Sequence, residues 1–315
     1  MPSYWELLLL ILPVFAVIAL GGGARRVGWL TAEADTSLLK VVVNLLYPCL
    51  IFENVLGNAS LRDPSNVILA PLVGYCTMAL GIVAALHAGR LLGLERGKGL
   101  RTFGYSVGIY NYGYIPIPLM TALFGPDSIG VLLVHNVGCE AAIWTVGILV
   151  LSGGSLREGW RRLINPPLVT LIAALIGNAV HLDQHLPQAI RMAIGMLAAC
   201  AVPLGLLLIG GVLMEYLVRP AQLVSARVTS GACLLRLAIF PACFLVLAAV
   251  LPASPDLKRV IIVQAAMPAG ILPIVIAKHY GGQPLTAVQV VVGTTAVGLV
   301  AIPWWLGAGL AWVAP

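Results

Sequence analysis

Charge is scarce in this 315-residue chain: Asp, Glu, Lys and Arg together make up 10% of it, against about 25% in soluble domains. That scarcity excludes an ordinary water-soluble globule. Acidic residues number only 12 against 18 Lys and Arg, giving a formal charge of +6. The excess does not indicate nucleic acid, because the basic residues fall in short loops between apolar runs rather than on one surface. The six cysteines, Cys49, Cys76, Cys139, Cys200, Cys233 and Cys243, lie in or beside apolar runs at spacings that match no zinc site. They read as small hydrophobes. No His-Glu-x-x-His pattern, nucleophile elbow or paired-aspartate protease pattern occurs. No enzyme, metal or cofactor is therefore expected.

Apolar residues dominate instead, at 60% with a mean hydropathy of +1.00. About 20 apolar residues cross the hydrocarbon layer as a helix. The chain divides into ten such stretches, at 6–24, 37–56, 66–90, 101–123, 127–151, 164–181, 188–210, 228–251, 257–279 and 286–311. An all-α polytopic membrane protein with ten transmembrane helices follows. The first run is trailed by Arg25-Arg26, whereas a cleaved signal carries its positive charge in front, so a retained helix is expected. Thirteen of the 18 basic residues fall in one alternate set of loops and four in the other, with Arg236 inside a span. By the positive-inside tendency, both termini face away from the cytoplasm of a bacterial-type inner membrane.

Two stretches carry helix-breaking runs. The fourth reads Tyr110-Asn-Tyr-Gly-Tyr-Ile-Pro-Ile-Pro118, and the ninth Gln264-Ala-Ala-Met-Pro-Ala-Gly-Ile-Leu-Pro273. Proline lacks a donor and clashes with the preceding turn. A break at membrane depth survives only inside protein or beside a water-filled cavity. Aligning Phe124-Gly125 with Tyr280-Gly281 superposes the two breaks at an offset of 156 residues, near half the chain. Five spans per half is an odd number, so the second half must start on the opposite face. The reading is an inverted repeat, 1–155 and 156–315, with a binding site at the matched breaks. The linker lies at about 152–163.

The breaks supply the candidate substrate site: Asn111, Tyr112, Gly113, Tyr114 and Pro116 from the first, with Gln264, Pro268 and Gly270 from the second. Asn111 offers donor and acceptor, Gly113 and Gly270 allow close main-chain approach, and half-helix N-termini favour an anion. His135, Asn136 and Glu140 in the fifth stretch are expected either to form an ion pair, Glu140 with Arg236, or to serve coupling, because ionisable groups at this depth are usually paired or functional. Asn44, Tyr47, Thr294 and Thr295 are candidate cavity-lining residues. Asn165-Pro166-Pro167 reads as a helix cap and start.

At these motifs the chain resembles the auxin efflux carrier family, which includes plant PIN proteins and bacterial malate or malonate permeases. The residues concerned are Gln264 through Tyr280, Asn111 with Gly113 and Pro116-Ile-Pro118, Asn44-Leu-Leu-Tyr-Pro48 and Asn165-Pro-Pro167. The resemblance implies a bile-acid-symporter-like fold with crossed, unwound fourth and ninth helices. It also implies a scaffold of helices 1, 2, 6 and 7, a transport domain of helices 3–5 and 8–10, and a homodimer in membrane lipids. The implied activity is elevator-type alternating access for small organic anions, carboxylates such as auxin-like compounds or dicarboxylates. The plant members' long central loop is missing here. Coupling to H+ or Na+ and facilitated export all stay open, as do a nontransporting ligand sensor and a channel.

Overall fold

Helices in this chain start where the sequence supplies a capping acceptor. In the computed structural model, which describes residues 2–152, 164–217 and 225–313, Ser3 and Glu6 form a reciprocal capping box on α1 (Tyr4–Arg26). Asn165 Oδ1 accepts from the Leu168 amide at 3.0 Å to open α7 (Pro166–Ala179). Ser254 Oγ does the same for Leu257 at 3.2 Å in α10 (Pro255–Ala266). These caps satisfy donors that the first turn leaves unpaired.

Long apolar helices make up most of the remainder: α2 (Ala32–Val55), α3 (Pro64–Leu91), α6 (Ser128–Ser152), α8 (Gln188–Leu217), α9 (Ala226–Val250) and α12 (Pro284–Val313). With α1 they are the seven described helices long and apolar enough to cross a bilayer. The other three expected stretches differ for identifiable reasons. The fourth is divided into α4 (Leu100–Gly108) and α5 (Pro116–Phe124). The ninth is divided into α10 and α11 (Leu272–His279). The sixth, α7, runs for only 14 residues. Among the described residues there is no strand, only a single antiparallel bridge between Tyr110 and Ala269. The expected linker beyond Ser152, and Arg157, Arg161, Arg162 and Arg219, lie outside the described residues.

Large apolar side chains are exposed while several polar groups are buried in an otherwise apolar interior, an arrangement suited to a lipid solvent. Ile68, Leu80, Leu91, Met196 and Val250 are exposed, whereas His135, Asn136, Asn178, Arg236, Gln264 and Thr294 are buried. All six cysteines are free; Cys139 is buried, Cys49 and Cys233 are half-buried, and Cys76, Cys200 and Cys243 are exposed on the apolar helices.

Helices α1, α2, α7 and α8 pack on one another, while α3 packs on α4 and α6, and α9 on α10 and α12. Glycine permits two of these contacts. A β-carbon on Gly138 of α6 would lie 1.7 Å from the Pro71 carbonyl oxygen of α3. One on Gly210 of α8 would lie 1.8 Å from the Ile18 carbonyl of α1. Backbone thus rests on backbone at both places. At the end of α1, Arg25 pairs with Asp35 of α2 and, at 2.6 Å, with Glu215 of α8.

Among the described residues three helices contain one π turn each: Val42–Leu46 in α2, Ile143–Gly147 in α6 and Leu235–Ile239 in α9. Such wide turns re-aim neighbouring side chains and recur at functional sites. Here they flank or contain Tyr47, Trp144 and Arg236.

The Gly138 contact yields a direct expectation. Gly138→Ala should cost about 1–3 kcal/mol through overpacking, visible as a lowered unfolding temperature in detergent. Gly23→Ala, where nothing lies within 4 Å of the new methyl, should leave that temperature unchanged or raised.

Candidate functional site

The two broken stretches meet. The Asn111 amide donates to the Pro268 carbonyl at 2.8 Å, and the Gly270 amide to the Ile109 carbonyl at 2.9 Å. Each break is therefore a short extended segment whose partner is the other break. Gly270 eases this close approach, since a β-carbon there would lie 3.0 Å from the Tyr110 carbonyl oxygen and crowd it.

Prolines explain where the helices resume. Pro116 and Pro118 open α5 and Pro273 opens α11, positions whose amides a helix would leave unpaired anyway. The Asn111 side chain accepts from the Ile115 amide at 3.3 Å through Oδ1, and its Nδ2 has no partner among the described residues. The Ile117 amide reaches the Gly113 carbonyl at 3.1 Å. The amides of Tyr112, Gly113 and Tyr114 make no hydrogen bond among the described residues. Three consecutive donors are thus left open at the crossing, and free amides inside a membrane protein call for a partner.

Neighbouring helices brace the crossing from several sides. Thr294 of α12 donates to its own Val290 carbonyl at 2.8 Å, so its remaining lone pairs accept the Ala269 amide at 3.1 Å. Gln264 is buried, with Nε2 donating to the Tyr112 carbonyl at 3.1 Å and to Asn136 Oδ1 at 3.4 Å; its Oε1 has no partner among the described residues. The Tyr110 hydroxyl lies 3.0 Å from Thr77 Oγ1 and 3.1 Å from Cys139 Sγ. Because Thr77 already donates to Val73 at 2.8 Å, Tyr110 is the donor of that pair.

Around the open amides stands a half-buried ring of Tyr47, Tyr112, Tyr114, Glu140 and Trp144. A β-carbon on Gly113 would sit 3.5 Å from the Tyr47 hydroxyl, which brings α2 to the break. The Tyr114 ring lies flush on Gly205 of α8, where an added methyl would come within 2.0 Å of it. Helices α2 and α8 thus touch the crossing directly.

The expected Glu140–Arg236 ion pair is not formed. Glu140 accepts from the Tyr112 hydroxyl at 2.6 Å through Oε1 and from the Trp144 indole at 3.0 Å through Oε2. Arg236 is wholly buried, with its guanidinium carbon 5.1 Å from the Tyr110 ring centroid, 5.4 Å from Phe240 and 5.3 Å from Phe244. One of its amino groups reaches the Ala265 carbonyl at 3.5 Å. Aromatic faces take the place of a carboxylate, each such contact contributing about 2 kcal/mol or more when desolvated. The sequence puts both charges at membrane depth, but each faces its own partners. His135 contacts its neighbours Asn136, at 3.4 Å, and Cys139, at 3.7 Å.

Other candidates divide. Tyr47 and Thr294 reach the crossing. Asn44 is exposed and donates to the Lys40 carbonyl of its own helix at 2.8 Å, and Thr295, on α12 beside Thr294, makes no hydrogen bond among the described residues. The sequence reading missed Thr77, Cys139, Trp144, Gly205, Phe240 and Phe244. Trp144 sits four residues after Glu140, and Phe240 and Phe244 four and eight after Arg236, spacings that place them on one helix side. Nothing local marks Gly205.

Comparison with known proteins adds to this geometry. A family profile described as "Membrane transport protein" matches residues 7–159 and 155–306. The chain belongs to that family, the auxin efflux carriers. It is a multi-pass membrane transporter. An "Uncharacterized transporter" of Methanothermobacter thermautotrophicus is 28% identical over 301 residues, spanning 94% of this chain and 96% of the relative. "Auxin efflux carrier component 8" of Arabidopsis thaliana is 21% identical over 330 residues, spanning 86% and 89%. "Auxin efflux carrier component 7" of the same plant is 33% identical over 131 residues, 40% of this chain but 20% of that longer protein.

The brace at Thr294 is open to test. Thr294→Val should free the Ala269 amide at a loss of about 1–3 kcal/mol, read as faster amide exchange at the ninth break. Thr294→Ser, which keeps the acceptor, should restore protection.

Proposed function

We propose that this protein carries small organic anions of the carboxylate class across a bacterial-type inner membrane by elevator-type alternating access. The observation that carries the proposal is the run of open amides at Tyr112, Gly113 and Tyr114, next to the unpaired Nδ2 of Asn111. A carboxylate accepts only, and four neighbouring open donors would suit it. Arg236 strengthens the choice of an anion, since its charge lies behind the crossing with no carboxylate partner among the described residues. Tyr112 and Tyr114 form the amphipathic wall.

The ten-span inverted repeat underlies this reading. Its support is the matched punctuation of the two halves: each break is followed by a proline-led half-helix, and Gly125 and Gly281 follow these with φ of 81° and 67°. In the proposed motion, α1, α2, α7 and α8 form the static scaffold and the homodimer contact. The crossing moves with α3 to α6 and α9 to α12, sliding Tyr114 past Gly205. Both termini face away from the cytoplasm.

Glu140 is the proposed coupling group, and a proton the coupling ion. Both of its oxygens face neutral donors rather than a cation, so one proton would cancel its charge without dismantling an ion pair. Sodium coupling is the competing scheme.

Reconstituted flux tests both parts. Asn111→Ala should raise the apparent substrate constant roughly tenfold, the loss of one charge-assisted hydrogen bond, with membrane expression unchanged. Uptake kinetics identical to wild type would remove Asn111 from the site. Absence of label exchange in counterflow would favour a ligand sensor, and conductance without saturation a channel.

In the same liposomes, Glu140→Gln should keep substrate exchange while abolishing the response to an imposed pH gradient. A retained pH response, or a response to a sodium gradient alone, would dismiss the proton scheme.

A further inference from the structure

Away from the crossing, a cavity of about 320 Å³ opens between the end of α3, the α3–α4 connection, the start of α4 and the last turns of α6. Three arginines line it, Arg90, Arg96 and Arg101, together with Leu86, Val146, Leu149 and Val150. None of the three arginines has an acidic partner among the described residues. The nearest carboxylate in sequence, Glu95, is bonded to Lys98 at 2.9 Å.

The backbone builds this concentration of charge. Gly93, Gly97 and Gly99 all have positive φ, between 73° and 99°, conformations that glycine adopts without strain. They fold the connection into a tight return between Arg90 and Arg101. A β-carbon on Gly89 would press to 2.8 Å on Leu100 and 2.9 Å on Phe103, so α3 and α4 start from close contact. The cavity also meets the apolar exterior: Leu149 of its wall is 39% exposed, and Leu91, next to Arg90, is 90% exposed.

Cationic heads over an apolar wall at the rim of a membrane helix bundle match one ligand chemistry. We propose that this cavity binds an anionic glycerophospholipid, with the phosphodiester held by Arg90, Arg96 and Arg101 and an acyl chain lying along Leu86, Val146, Leu149 and Val150. Arginine forks bind phosphate oxygens in pairs, and basic pockets between transmembrane helices hold acidic headgroups. A small soluble anion would have no use for the apolar wall. The site is separate from the proposed substrate crossing and does not depend on what the protein carries.

Native mass spectrometry of the full chain in detergent tests this, with phosphatidylglycerol, phosphatidylcholine and inorganic phosphate as probes. Wild type should retain phosphatidylglycerol in preference to phosphatidylcholine and keep it against millimolar inorganic phosphate. Each arginine removed should lower retention about fivefold. Arg96→Ala is the first variant, because that residue sits in an exposed connection where folding is not at stake; Arg90→Ala with Arg101→Ala follows. Leu149→Trp, which fills the wall and leaves the charges, should also reduce retention. Arg62→Ala, on a different connection, should not. Retention unchanged in the arginine variants, equal retention of both lipids, or displacement by inorganic phosphate would each overturn the proposal.

Discussion

Peptide groups left bare inside a bilayer call for a partner, and in this protein the two breaks supply backbone acceptors for each other. The amides of Asn111 and Gly270 find acceptors in the opposite break, so each break completes the backbone hydrogen bonding of the other. Proline makes each interruption, the other interruption completes it, and side chains from three further helices fix the pair. Thr294 takes one amide, Gln264 reaches the Tyr112 carbonyl and Asn136, and Tyr110 anchors on Thr77. The remaining donors at Tyr112 to Tyr114 are what this arrangement leaves available for chemistry.

Electrostatics around that point is asymmetric. On one side Arg236 sits among three aromatic rings, and on another Glu140 faces a phenol and an indole. Joining the two charges in an ion pair would silence both. Held apart, the guanidinium contributes a fixed field, while the carboxyl remains a group whose protonation alters its surroundings. Low dielectric makes each of these effects larger than it would be in water.

Much of this was legible in the residues. The apolar stretches, the two breaks and the helix start at Asn165 follow from hydropathy, proline and capping chemistry, all of which act locally. Asn111, Gly113, Gln264, Pro268 and Gly270 could be singled out because polar or flexible residues at membrane depth need a reason. The partners could not. Glu140 and Arg236 have similar depth along their helices, yet depth says nothing about rotation around the bundle, and rotation decides who meets whom. Each π turn adds a further change of phase that no 3.6-residue pattern contains. Gly205 is one small residue among many on an apolar helix, and its meaning arises only when the Tyr114 ring is set against it.

The joint between the breaks is written in main-chain atoms, and its donors and acceptors are common to every amino acid except proline, which lacks the N–H. Replacement of most side chains around it leaves both bonds intact, provided position 270 stays small and the prolines keep the helices from closing. Relatives that share only 21–33% of aligned residues with this chain can therefore retain one architecture. On the proposed reading, the side chains around the crossing can then drift toward other cargoes while the main-chain joint beneath them stays the same.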